Sequence, residues 1–223
     1  MKYLRQVLAI VQKDIATELR TKENLSAMIV FSLLVLVIFN FAFELQGVDI
    51  TVLGAGVLWV AFTFSGILGL GRSFAAEKDK GSLEGLLLSP VDRGAVFLGK
   101  ALSNLIFISV MEAVTLPLFA ILNNAGMPWW PLVPYIFLGT IGFAAMGTLL
   151  GAVAASTKMR EVMLPILLFP VAIPLLMAAV KLTGGAFQAS DFSSVSSWFS
   201  ILITYDVVFV VVAFLVFEYV VEE

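Results

Sequence analysis

The sequence predicts an all-α integral membrane protein with six transmembrane helices, and three observations support that prediction. Hydrophobic residues make up 61% of the 223-residue chain and charged residues only 13%, whereas a soluble domain averages about 25% charged residues. Nearly all the basic residues fall on one side of the predicted spans. Six segments contain the roughly 20 apolar residues that a helix needs to cross a bilayer. These segments are about 25–43, 52–71, 101–122, 132–154, 162–181 and 198–220.

Residues 1–24 precede the first span and show a different pattern. Apolar residues recur at helical spacing there, with charged residues between them, which is typical of an amphipathic helix lying along a membrane surface. We therefore divide the chain into an interfacial helix, residues 1–24, and a six-span domain, residues 25–223. The apolar residues of the interfacial helix are Leu4, Val7, Leu8, Val11, Ile15 and Leu19.

The distribution of basic residues predicts the orientation of the six spans. Of the 13 Lys and Arg residues, all but Lys181 precede the first span or lie between spans two and three or four and five. Cytoplasmic loops are enriched in Lys and Arg, so both termini are predicted to be cytoplasmic. The longest cytoplasmic loop is then residues 72–100.

Two residue types are missing from the chain, and their absence excludes whole classes of chemistry. Without cysteine or histidine, the chain cannot form a Ser-His triad, a Cys-His dyad or a zinc site ligated by His or Cys. The segment GAVFLGKA, residues 94–101, fails as a phosphate-binding loop because Ala101 stands where a Ser or Thr should bind magnesium. We expect no enzyme activity, no bound ATP or metal, and no nucleic-acid partner. Gly99 and Lys100 instead suggest a bend where an interfacial helix enters span three.

Acidic side chains inside the predicted spans are candidate functional residues. A charge at the centre of the membrane costs roughly 2.5–3.5 kcal/mol on insertion scales, so such a side chain should face protein or water. Glu218 lies near the cytoplasmic end of its span and can reach water. Glu112 and Asp206 lie deeper. They either form a polar lining or clamp between moving helices, or are simply paired with neighbouring hydroxyls.

Other features within the spans allow a structural and a functional interpretation. Trp59 lies about 12 Å into span two and belongs either to a substrate path or to the packed core. Three prolines, Pro165, Pro170 and Pro174, predict that span five is bent or broken. Small residues at four-residue spacing allow close approach of helices in lipid. These small residues are Gly147, Gly151 and Ala155.

The segment EKDKGSLEGLLLSPVDR, residues 77–93, is the most charged stretch of the predicted cytoplasmic loop. Gly81 interrupts it and Pro90 ends it, while three leucines between them share one face of a predicted short helix. These leucines are Leu83, Leu86 and Leu87. An apolar ridge with a charged flank is typical of a docking element for a soluble partner. The alternative, a solvated loop, would leave the leucines exposed to water.

The run SFAAEKDKGSLEGLLLSPVDRGAVFLGK resembles the cytoplasmic loop of type-2 ABC exporter permeases. The residues that match that pattern are Glu77, Gly81, Leu83, Glu84, Leu86, Leu87, Pro90, Leu98, Gly99 and Lys100. More narrowly, residues 59–93 are similar to haem exporter protein B (CcmB) of cytochrome c maturation. The length, the six spans and the short outer loops of the chain also fit that family.

The resemblance implies a permease subunit in the bacterial inner membrane, with ATP hydrolysis in a separate CcmA-type subunit. It also implies a CcmC-type haem-handling membrane protein, a CcmD-type single-span subunit and a CcmE-type periplasmic haem chaperone. ATP hydrolysis would release the haem-loaded chaperone, and the Glu77 to Pro90 element would couple the ATPase to the spans. Any haem is expected on a partner, because without His or Cys the iron would need weaker ligands such as Met. Met111, Met146 and Met177 are interpreted as flexible packing residues.

Three alternatives to this function stay open. A generic type-2 ABC permease for a drug, lipid or glycan would share the docking loop but would need a broad apolar cleft and would pair with itself. A scaffold would tether the same partners without transport. A membrane enzyme is the remaining class, and the chain lacks the catalytic groups that it would need.

Overall fold

The computed structural model describes residues 2–46, 50–79, 91–123, 127–155, 157 and 159–222. Within these ranges all regular secondary structure is helical. The helices are α1 (Lys2–Thr21), α2 (Glu23–Gln46), α3 (Ile50–Asp79), α4 (Arg93–Leu122), α5 (Trp129–Ala155), α6 (Arg160–Phe187) and α7 (Phe192–Glu222). Each of α2 to α7 is long and apolar enough to cross a membrane. The predicted six-span helical fold is confirmed.

The helices on either side of the predicted cytoplasmic loop are longer than expected. Helix α3 continues to Asp79 and α4 begins at Arg93, so both helices extend into the predicted cytoplasmic loop of residues 72–100, whose cytoplasmic location stays a prediction. Helix α4 is continuous through Gly99 and Lys100, and the predicted bend at these residues remains a prediction. Asp92 caps the start of α4 by accepting a 2.9 Å hydrogen bond from the Gly94 N–H, which satisfies one of the free donors of its first turn.

Helix α6 is continuous despite its three prolines. It runs from Arg160 to Phe187 without a break, so a broken span five is wrong, while the predicted bend remains a prediction. Prolines are tolerated in transmembrane helices where neighbouring helices satisfy the backbone groups that they leave free. The Tyr205 hydroxyl of α7 donates a hydrogen bond to the Val171 carbonyl, which lies between two of the prolines, at 3.1 Å, so α7 is bonded directly to this stretch of α6.

Helices α3 and α5 form the centre of the bundle. In their apolar stretches 72% and 67% of the residues are buried, against 17% in α2 and 22% in α7, so the outer helices contribute most of the lipid-facing surface. The two central helices pack in parallel, with large side chains occupying the space that a Cβ on the facing glycine would need. The pairs are Trp59 on Gly139, Phe143 on Gly66, Leu70 on Gly147 and Phe74 on Gly151.

Buried polar side chains connect the helices to one another. Such bonds contribute only about 0.6 kcal/mol each in membranes, but they fix which helix faces lie together. The Ser32 hydroxyl of α2 is 2.9 Å from that of Thr115 in α4. The Asn104 amide of α4 donates to Thr148 of α5 at 2.9 Å. Together with the glycine contacts, these bonds specify one arrangement of the bundle.

Candidate functional site

The predicted docking element lies mostly outside the described residues. The backbone of Glu77 belongs to the last turns of α3, whereas Gly81, Leu83, Glu84, Leu86, Leu87 and Pro90 fall in residues 80–90, which the structure does not describe. Its role in coupling therefore stays a prediction. The structure does describe what flanks the loop, namely the ends of α3 and α4 and the interfacial helix α1.

Helix α1 packs along the first turns of α4. Val7, Ile10 and Val11 are buried, and Gly99 of α4 has no room for a Cβ because the Ile10 side chain lies against it. At the start of both helices, burial raises the pKa of the Tyr3 phenol, and the nearby Asp92 carboxylate raises it further. Gly99, the glycine of the matched Leu-Gly-Lys motif, thus allows α1 to pack closely against α4.

A buried ion pair joins α1 to α4 beside this glycine. The Lys100 ammonium lies 2.9 and 3.1 Å from the two carboxylate oxygens of Asp14. The side chains of Lys100 and Asp14 are only 1% and 8% exposed, so each depends on the other for compensation of its charge. Sequence reasoning missed this pair, although both residues gave a signal. Asp14 interrupts the apolar pattern of α1, and Lys100 begins an apolar span.

The junction between α1 and α2 is also held by specific contacts. Lys22 adopts a left-handed backbone conformation with φ of 55°, which turns the chain sharply between the two helices. The Glu18 carboxylate accepts a 2.7 Å hydrogen bond from the Leu25 N–H, satisfying a free donor in the first turn of α2. Helices α1, α2 and α4 are therefore tied together next to the undescribed loop.

A second face of α1 carries exposed apolar side chains. Leu4, Leu8 and Leu19 are 64%, 49% and 68% exposed and lie on one stripe, separate from the residues that pack on α4. Exposed leucines on an amphipathic helix suit the boundary between headgroups and acyl chains. This stripe supports the interfacial helix, whose position on a membrane stays a prediction.

The two intramembrane acids lie on either side of α5. Glu112 of α4 is 4% exposed, and its Oε1 accepts a 2.6 Å hydrogen bond from the Thr140 hydroxyl. Asp206 of α7 is 7% exposed and faces the backbone of Gly142. Among the described residues, no side chain donates a hydrogen bond to Asp206. Glu112 is therefore paired with a neighbouring hydroxyl, as one of the two interpretations expected. A role for either acid as a polar lining or clamp between moving helices remains a prediction.

Trp59 occupies a packed position in the core. Its indole N–H donates a 3.0 Å hydrogen bond to Thr183 of α6, and its ring lies over Gly139 and meets Phe62 edge to face. The side chain is 3% exposed. This geometry gives Trp59 a structural function in joining α3, α5 and α6, and its place on a substrate path stays a prediction.

The six membrane-crossing helices with buried polar contacts define a polytopic α-helical membrane protein. The sequence profile of the family described as "CcmB protein" matches residues 5–222, and the chain belongs to that family. The Heme exporter protein B of Rhodobacter capsulatus is 28% identical over 176 residues, which cover 78% of this chain and 80% of that protein. Those of Paracoccus denitrificans and Pseudomonas aeruginosa are each 28% identical, covering 75% and 77% of this chain and 78% and 75% of their own lengths. The resemblance noted in residues 59–93 is confirmed.

Proposed function

We propose that this chain is the membrane permease subunit of an ABC-type haem export complex that serves c-type cytochrome maturation. The observation that carries the proposal is the match to the CcmB family over residues 5–222. The relatives that bear the name Heme exporter protein B align along three quarters or more of both chains. The chain itself is not an enzyme in this proposal, because ATP is bound and hydrolysed by a separate CcmA-type subunit.

The packing around the loop supports a mechanical role. Residues 80–92 connect α3, the most buried of the six spans, to α4, which is tied to α1 by the Asp14–Lys100 pair. A force applied to the loop by an ATPase would act on both the central helix and the α1–α4 unit. We expect the α1–α4 unit to move as one rigid body, because its close-packed buried contacts transmit strain rather than absorb it.

Haem is placed on partner subunits in this proposal rather than on side chains of this chain. The chain has no histidine or cysteine, and methionine would be its softest remaining iron ligand. Met111 and Met146 are buried in the core, while Met177 is 52% exposed on α6. We therefore assign haem to a CcmC-type subunit and a CcmE-type chaperone, with a CcmD-type single-span protein in the same complex. The bacterial inner membrane is the proposed location.

Substitution of Leu87 by aspartate should detach the ATPase, because a charge on the predicted apolar ridge cannot be buried in the interface. We expect at least a tenfold loss of co-purified ATPase, and a matching loss of covalent haem attachment to c-type cytochromes, with normal membrane insertion. Leu83→Asp should behave in the same way. Gly85→Asp, which adds the same charge on the side of the predicted helix opposite the three leucines, is the control and should retain the ATPase. Retention of the ATPase by both leucine variants would refute the docking element.

Reporter fusions test the proposed orientation. Fusions after Arg20 and after Glu223 should report a cytoplasmic location, since nearly all basic residues lie on that side. Insertions between Asn123 and Met127, and between Phe187 and Phe192, should report the outer side. A phosphatase and fluorescent-protein pair of reporters gives opposite signals for the two locations. A reversed signal at any one of these sites would contradict the six-span orientation.

A further inference from the structure

A groove on the surface of the bundle, between α4 and α5, is open to the membrane. It encloses about 290 Å³, and its walls are mostly apolar. Trp129, at the start of α5, lines one end of it, and Val133 and Phe137 continue its wall along the same helix. Glu112 and Ser109 of α4 line it as well. Glu112 is ten residues from the end of α4, so the groove extends roughly 15 Å from the membrane boundary, about half the thickness of the hydrocarbon core.

The deep part of this groove contains polar groups that could bond a further side chain. Glu112 is 4% exposed, and its Oε1 accepts from Thr140, the one side-chain bond that this carboxyl group makes within the part of the chain that the structure describes. The Ser109 hydroxyl has no hydrogen-bond partner among the described residues. Pro117, which also lines the groove, has no N–H to offer to the Ala113 carbonyl one turn earlier. Two polar side chains, Ser109 and Glu112, thus line an apolar groove at mid-membrane depth.

An ordinary lipid does not satisfy these acceptors. Its acyl chains carry no donor, and its headgroup stays at the interface, about 15 Å away. A transmembrane helix, in contrast, can place a donor side chain at any depth, and a hydrogen bond to a carboxyl group in lipid fixes which helix faces lie together, although such bonds contribute only about 0.6 kcal/mol on average. The volume of the groove, about 290 Å³, is at the lower limit of the range typical of small-molecule pockets and can accommodate side chains of a neighbouring helix.

A basic side chain that donates a hydrogen bond to Glu112 would have to belong to a different chain. This chain has no histidine, and its 13 Lys and Arg residues lie at or near the ends of the spans or in the loops. We propose that the α4–α5 groove is the docking site for a transmembrane helix of another subunit, which places a hydrogen-bond donor side chain against Glu112. The inference rests on the proposed function in that it requires a complex with a further membrane subunit, but it does not depend on the cytoplasmic docking of an ATPase.

Cysteine cross-linking tests the proposal directly, because the chain has no native cysteine. In the intact complex in its own membranes, Val133→Cys carries a benzophenone maleimide and is irradiated. We expect a cross-link to a transmembrane segment of a different subunit that contains a Lys, Arg, His, Asn, Gln or hydroxyl side chain, identified by mass spectrometry of the joined peptides. Ile38→Cys, which is exposed on α2, is the matched lipid-facing control and should give at least tenfold less of that product.

A second variant links the contact to the acid. Glu112→Leu in the Val133→Cys background should reduce the cross-link at least fivefold, whereas Glu112→Gln, which keeps an acceptor and the shape, should retain most of it. Unchanged membrane insertion and unchanged ATPase co-purification show that the variants are folded, and separate this test from that of the proposed function. Cross-links only to lipid, to a second copy of this chain or to a segment without donors would overturn the proposal. So would a yield that does not change in Glu112→Leu.

Discussion

Replacement of Lys100 by methionine should lower the free energy of unfolding by about 3 kcal/mol, because it leaves the buried Asp14 carboxylate without its main partner. Lys13, 3.2 Å from Asp14, is partly exposed and offsets only part of the loss. The protein in mixed micelles is titrated with a denaturing detergent, and unfolding is followed by circular dichroism. Limited trypsin cleavage after Arg20 or Lys22 should also become faster, since α1 would separate from α4.

The double variant Asp14→Leu/Lys100→Met is the control for this prediction. Replacing both members of a buried ion pair by apolar residues of similar volume is often neutral or stabilising, so the double variant should recover most of the loss. A single Lys100→Met variant as stable as the unmodified protein would show that the pair does not hold α1 in place. A double variant as unstable as the single one would show that packing around Lys100, and not its charge, is responsible.

Substitution of Gly142 by valine should disrupt the packing of α5, α6 and α7 together. A Cβ at Gly142 would overlap the Asp206 carboxylate and the Leu175 side chain, and would come within 3.2 Å of the Tyr205 ring. Overpacking of this kind costs up to about 3 kcal/mol. The expected result is a lower midpoint in the same detergent titration and a larger aggregated fraction in size-exclusion chromatography.

Two further variants show whether the steric explanation is correct. Gly56→Ala is the matched control, because nothing lies within 4 Å of a Cβ at that position of α3. It should be neutral or should stabilise the helix by up to about 1 kcal/mol, the difference in helix propensity between glycine and alanine. Asp206→Ala combined with Gly142→Val should recover part of the stability, since it removes one of the overlapping groups. Equal losses for Gly142→Val and Gly56→Ala would contradict the close contact seen at Gly142.

The Asp14–Lys100 pair also gives the proposed coupling a specific route. Helix α4 follows residues 80–92 directly in the chain, and α1 packs against α4. Helix α1 is in turn joined to α2 by the bond between Glu18 and Leu25. If an ATPase moves the loop, these helices move with it because their mutual contacts are buried. Lys100→Met should therefore weaken coupling even where the ATPase remains bound to the loop.

The sequence alone determined the fold class, the number of spans and the family. These follow from local properties. An apolar stretch of about 20 residues has few stable structures other than a transmembrane helix, and the run from residue 59 to residue 93 carries its pattern in consecutive positions. The small residues Gly147 and Gly151 were also correctly identified as sites of close helix approach, because lipid makes small residues the usual means of bringing helices together.

Only the tertiary structure decided which polar groups are partners. Asp14 and Lys100 are 86 residues apart, and neither charge identifies the other without the fold that brings α1 onto α4. The same holds for Glu112. Its partner Thr140 lies on α5, and the groove that Glu112 lines is formed by α4 and α5 together. Whether the prolines of α6 break the helix was also decided by the tertiary structure. Proline predicts a local defect, but α6 is continuous, and neighbouring helices pack along it, as the bond from Tyr205 to Val171 shows.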